Sequence, residues 1–114
     1  MSMRKWLSGL VTAPAKKALP ILSFPSVSLM GVSVRELISS SDLQAEGMCR
    51  IAAKCDAAAA VSLMDLSVEA ECFGAAVRFS DNEVPTVTGR LICDPEEAAA
   101  LQVPQVGTSR SGIY

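Results

Sequence analysis

The chain has 114 residues, half of them hydrophobic, with 10 basic and 12 acidic residues and a net charge of −2. That length fits one domain or a piece of a larger one, and the basic residues are scattered without a stripe of interleaved aromatics, which excludes a nucleic-acid-binding class. There is no histidine, so the commonest general base and the commonest metal ligand are both missing, and any catalysis by this chain draws on carboxylates, Arg, Lys, Tyr or Cys.

Met1 to Val11 (MSMRKWLSGLV) suits a short amphipathic helix, with Trp6 and Leu10 at helical spacing and Met3 and Leu7 beside them. Thr12 to Lys17 is a linker around Pro14. Arg4 and Lys5 followed by Trp6 to Val11 imitate a signal peptide, but the apolar part is short and Lys16 and Lys17 follow at once. A cytoplasmic location with no membrane partner is expected. Residues 1–18 form this helix and linker, and residues 19–114 form the α/β domain.

Leu19 to Phe24 (LPILSF) reads as a first strand, with Pro20 tolerable at its start and Pro25 ending it. Pro25 to Val32 reads as a loop whose Gly31 permits a turn. Ser33-Val-Arg-Glu36 and Ser41-Asp-Leu-Gln44 both carry the capping-box pattern, a hydroxyl with a carboxylate or amide three residues on. They predict a short helix over Val34 to Ile38 and a longer one from Asp42 to about Lys54. Gly47 inside the longer helix marks a close approach to a neighbouring element.

Ala57 to Met64 is an apolar run without a charge, after which Asp65, Glu69 and Glu71 arrive together. This is how a buried parallel strand looks when it delivers a carboxylate to its C-terminal end. With Leu19 to Phe24 and the helices between them, Ala58 to Met64 completes a βαβ unit. Asp65 is the candidate catalytic residue on this ground, because the C-terminal ends of strands carry the chemistry in open α/β sheets and β/α barrels; Glu69 becomes a second catalytic candidate only through what a family resemblance implies.

Ala75 to Phe79 and Thr86 to Ile92 read as a hairpin around the turn-rich Ser80 to Pro85, with Asp81 and Glu83 at a solvated tip. Asp94-Pro95-Glu96-Glu97 starts a helix through Leu101. Gln105 to Tyr114 is polar and loop-like. Cys49, Cys55, Cys72 and Cys93 form no CxxC pair and read as reduced, partly buried thiols, so no zinc site is expected in this chain. Two parallel strands and a hairpin make a poor independent core. The chain is therefore expected to be the N-terminal piece of a larger α/β protein or a protomer that completes itself by oligomerising.

LPILSFPSVSLMG, VRELI, AAAAVSLMDLSVEAECFG after Asp56, and DPEEAAALQVP together resemble the N-terminal third of the uroporphyrinogen decarboxylase superfamily. The VSLMDLSVEAECFG segment is closer to its cobamide-dependent methyltransferase branch, of the methylcobalamin:coenzyme M type. The resemblance implies a portion of a (β/α)8 TIM-barrel-like fold with an added hairpin, incomplete as a barrel on its own. In true decarboxylases an arginine-bearing loop after the first strand grips the porphyrin carboxylates; Pro25 to Val32 contains no arginine. Asp65 matches the family's aspartate at the end of the second strand. The resemblance further implies a corrinoid-protein partner and corrinoid and zinc for the full-length protein, with the zinc ligands outside this chain. It leaves three readings: a fragment of a corrinoid-dependent methyltransferase that passes a methyl group to a thiol and is inactive alone, a decarboxylase-like lyase, or a truncated non-enzymatic chain that oligomerises through open barrel edges.

Overall fold

A computed structural model describes residues 2–114. In chain order it contains α1 (Met3–Thr12), α2 (Ser26–Met30), α3 (Val34–Leu37), α4 (Ser41–Lys54), α5 (Ser67–Cys72), β1 (Ala76–Arg78), β2 (Thr86–Thr88), α6 (Pro95–Ala100) and a 3-10 helix, Ser109–Gly112. The architecture is mixed: several short helices and one open, two-stranded sheet.

Local chemistry sets the helix boundaries. Ser33 accepts from the Glu36 amide while Glu36 accepts from the Ser33 amide at 2.7 Å, so the capping box at α3 is complete. The cap of α4 falls one residue earlier than the second box predicts: the Ser40 hydroxyl accepts from the Leu43 amide at 3.3 Å. Asp94 caps α6 by accepting from the Glu97 amide at 2.8 Å, with Pro95 in the first turn, where its missing N–H has no partner to lose.

Pro25 to Val32, expected as a loop, is mostly the helix α2. It ends at Gly31, whose φ of 69° is the left-handed cap that glycine reaches without steric cost. This helix lies against α4 where Gly47 allows it: a Cβ at Gly47 would stand 2.6 Å from Ser26 Oγ and 2.9 Å from Ser26 Cβ.

The two expected strands are the main departure. Leu19 to Phe24 and Ala58 to Met64 run side by side and parallel, but neither is a strand. The Ala58 amide donates to Ala18 O at 2.8 Å, and at the far end the Ser23 hydroxyl donates to Ser62 O at 3.1 Å. A parallel ladder needs evenly spaced backbone bonds. Here one backbone bond and the Ser23 hydroxyl, shared between the Val61 and Ser62 carbonyls, hold the pair, and the alanine run has little β preference to tighten it. Nor is the second segment fully buried: Leu63 is, whereas Ala60, Ser62 and Met64 are exposed.

The core forms where the helices meet this segment. Val34, Leu37, Ile38 and Leu63 are buried together, with Phe24, Val27, Met30, Leu43 and Phe79 packed around them. The expected hairpin is present and short: Ala76, Val77 and Arg78 pair antiparallel with Thr88, Val87 and Thr86. Its acidic tip is tied down as well as solvated. Asp81 accepts from Arg35 Nε at 3.0 Å through its side chain and from the Val34 amide at 2.8 Å through its carbonyl. The radius of gyration is 17.8 Å, against about 13 Å for a compact domain of this length, so much apolar surface stays uncovered.

Candidate functional site

Asp65 stands at the end of the Ala57 to Met64 segment, as the sequence indicates, and its side chain is almost wholly buried. The residues around it come from three places. Asp65 Oδ1 accepts from the Ser67 amide at 2.9 Å and from Ser67 Oγ at 2.6 Å, a local arrangement that starts α5. Asp65 Oδ2 accepts from Arg110 Nη1 and from the Tyr114 hydroxyl, the latter at 3.2 Å. Arg110 also donates from Nη2 to Ser67 Oγ at 2.9 Å and from Nε to Glu71 Oε2 at 2.7 Å. Its guanidinium lies 4.8 Å from the Phe79 ring centroid, which joins the polar cluster to the core.

Gln105 to Tyr114, expected as a polar loop, therefore supplies half of this network. The 3-10 helix packs on α5, and Arg110 is buried. Ser109 adopts a positive φ of 50°, which turns the chain so that Arg110 enters the cluster. Arg110, Tyr114, Ser67 and Glu71 are partners that reading the sequence did not single out. The one available signal was Asp65-x-Ser67, the spacing of a side chain that bonds the backbone two residues on.

The electrostatics follow from this packing. Burial pushes the Asp65 carboxyl upward, but the Ser67 hydroxyl, the Arg110 guanidinium and the Ser67 amide together hold it below the usual carboxylate range. Burial pulls Arg110 down, and the hydrogen bond and charge of Asp65, followed by those of Glu71, outweigh it and raise Arg110 further. Tyr114 is pushed well above the usual phenol range, first by burial and then by the charge of Asp65 and the hydrogen bond to it. At neutral pH the cluster is thus a carboxylate, a guanidinium and a neutral phenol. An ionised carboxylate has about four acceptor sites, and those of Asp65 meet four donors: the Ser67 amide, the Ser67 hydroxyl, Arg110 and Tyr114.

Glu69 sits in the first turn of α5, exposed and without an ion pair among the described residues. It is brought to the same opening as Asp65: a cleft of about 270 Å³ lined by Ser62, Met64, Asp65, Glu69 and Tyr114. With Glu71 and Asp65 against Arg110 alone, this end carries more negative than positive charge. Among the described residues no three Cys, Asp or Glu side chains converge as a metal site requires, so the residues present do not fit a zinc ion. The four cysteines are free thiols. Among the described residues no helix is long and apolar enough to cross a membrane.

A parallel pair of segments joined through helices, closing on a buried acid, defines a portion of an α/β domain with its candidate site at the segment end. The profile of the uroporphyrinogen decarboxylase (URO-D) family matches residues 22–113, so the chain belongs to that family. The matched stretch contains Asp65, Ser67, Glu69, Glu71 and Arg110 and excludes α1. No curated protein and no solved structure matches the chain significantly.

Proposed function

We propose that this chain is one wall of the active site of a corrinoid-dependent methyltransferase of the uroporphyrinogen decarboxylase superfamily, a protein that passes a methyl group from a corrinoid to a thiol. One observation carries the choice of branch. The guanidinium beside Asp65 is already held by two carboxylates, Asp65 and Glu71. A substrate with several carboxylates needs fixed, unneutralised cations, and Pro25 to Val32 contains no arginine to supply one. A mouth with excess negative charge suits a neutral methyl donor and a thiol better than a porphyrinogen.

In this reading Asp65 and Glu69 stand at the mouth of the complete (β/α)8 barrel. Asp65 fixes Arg110 and the Tyr114 hydroxyl there through its hydrogen bonds, and Glu69, exposed at the cleft, is the carboxylate left to meet substrate groups directly. Corrinoid and its carrier protein, and a zinc ion held by residues outside this chain, belong to the whole assembly. The chain alone is inactive, because its small core and uncovered apolar surface leave the barrel unfinished. Association with the remaining barrel portion or with further copies, in the cytoplasm, completes it.

The test is complementation. The chain is combined with a separately expressed C-terminal barrel portion of a cobamide-dependent methyltransferase. Methylcobalamin demethylation, followed by its visible spectrum with a thiol acceptor, is expected only with both parts present, and more slowly with Asp65→Asn. Decarboxylation of uroporphyrinogen by the reconstituted pair would replace this reading with the lyase. Association without either activity would leave a non-enzymatic chain.

A further inference from the structure

Gln44 does not play the part that its spacing from Ser41 suggests. In a capping box its side chain would reach back to the helix start, but the cap of α4 is Ser40, whose hydroxyl accepts from the Leu43 amide. The Gln44 side chain is buried instead, with 9% of the residue exposed. Its Nε2 is the one buried side-chain polar atom without a hydrogen-bond partner among the described residues. A buried donor left unpaired is costly, and few such groups persist in a folded protein.

Gln44 lines a cleft of about 230 Å³. Ala45 and Met48 share that side of α4, Leu63 comes from the segment beside the helix, and Ile113 and Tyr114 come from the chain end. No lining side chain carries a charge. Leu63 and Tyr114 also line the Asp65 cleft, so the two openings adjoin, but Asp65 and Glu69 belong to that cleft alone.

We propose that the Gln44 cleft is a binding subsite for the neutral primary carboxamide of a small molecule, with a short aliphatic stem against Met48, Leu63 and Ile113. The volume lies below the roughly 300 Å³ at which drug-sized ligands are enclosed, so the occupant is small. A carboxylate desolvated here would meet no cationic side chain and is strongly disfavoured. The last torsion of a glutamine is soft, so the Gln44 amide turns its unpaired N–H into the cleft at little cost. A primary carboxamide then accepts from that N–H and donates to the Gln44 carbonyl oxygen, and it matches the glutamine whichever way the amide is turned. A ketone or an ester only accepts. This subsite does not rest on the methyl-transfer reading: binding and methyl transfer are measured separately, and either can fail without the other.

Titration of the intact chain with butyramide, followed by heteronuclear NMR, tests it. Four side chains give carboxamide signals, Gln44, Asn82, Gln102 and Gln105, and their loss in Gln44→Met identifies the first. The Gln44 signals are expected to shift saturably with butyramide but not with butyrate at neutral pH, while the other three stay in place. Gln44→Met keeps the side-chain length and removes the amide. It should unfold at no lower urea concentration than the wild type, because an unpaired buried donor is gone. It should bind butyramide about tenfold more weakly, read from the Ile113 methyl signals, through loss of the hydrogen bonds. Ala45→Leu leaves Gln44 intact, fills the cleft and should weaken binding as well. No saturable shift, equal binding of butyrate, or unchanged binding in either variant overturns the proposal. A large loss of stability in Gln44→Met also overturns it, because the amide would then be held within the protein.

Discussion

Arg110 and Asp65, 45 positions apart, form a buried ion pair in which one guanidinium nitrogen reaches Asp65 Oδ2 and another reaches Ser67, itself bonded to Asp65 Oδ1. The pair closes a ring of hydrogen bonds around a carboxylate that has almost no contact with water. Each member of the ring then has a consequence that can be measured.

Arg110→Met should be among the most damaging substitutions in the chain. It leaves Asp65 charged, buried and short of its strongest partner, a loss of about 3 kcal/mol or more when one member of a buried pair is removed. Urea unfolding followed by circular dichroism measures it. The double variant Asp65→Asn/Arg110→Met should recover part of the loss, because no charge is then left unpaired. Equal stability of the single and double variants would show that the unpaired Asp65 charge costs little.

Stability should fall on the acid side. Asp65 binds its proton more weakly folded than unfolded, so its contribution is complete above the ordinary carboxylate pKa of about 4 and is lost as pH falls through the lowered value. Glu36, lowered first by the Ser33 amide and then by its hydroxyl, acts in the same direction. Unfolding midpoints taken from pH 7 down to pH 3 should decline, and the decline should be shallower in Asp65→Asn.

Tyr114 is the chain's single tyrosine, so tyrosinate absorbance reports this group alone. Its folded pKa is raised, first by burial and then by Asp65. Its contribution is therefore complete below the ordinary value of about 10 and is lost as pH rises through the folded one. The folded protein should titrate later than the urea-unfolded chain, and Asp65→Asn should bring the folded midpoint down. Coincident folded and unfolded curves would place the Tyr114 hydroxyl in water.

Gly47→Ala should destabilise the chain although alanine is the better helix former by about 1 kcal/mol. The new methyl would collide with Ser26, whose Oγ donates to Ser23 O at 2.6 Å and cannot swing away freely. Overpacking of this kind costs about 1–3 kcal/mol. Ser26→Gly in the same background should relieve it, because both of the nearest Ser26 atoms are removed.

The parts legible in the sequence were those with local causes. The Ser33 to Glu36 box, the Asp94-Pro95 start, the hairpin and the role of Gly47 all follow from short-range chemistry, and the structure shows each of them. Asp65 at the end of an apolar run was equally visible. The parts that were not legible depend on distant partners. Nothing local in Gln105 to Tyr114 reveals that Arg110 turns inward, since a lone arginine among serines and glycines has the composition of a loop. The two expected strands failed for a related reason: a ladder is made by both of its members, and Ser23 takes the carbonyls of Val61 and Ser62 with its hydroxyl.

That side-by-side pair has a further consequence for solvent exchange. The amides of Ala59 to Met64 donate to no acceptor within the described residues, although Leu63 belongs to the core. Protection from deuterium requires a held hydrogen bond as much as burial. The amide of Leu63, although its side chain is in the core, should therefore label as fast as those of its exposed neighbours, while α4 beside it labels slowly. Isotope uptake along the backbone would then run counter to depth, and slowing of that uptake when another chain binds would mark the formation of the missing ladder.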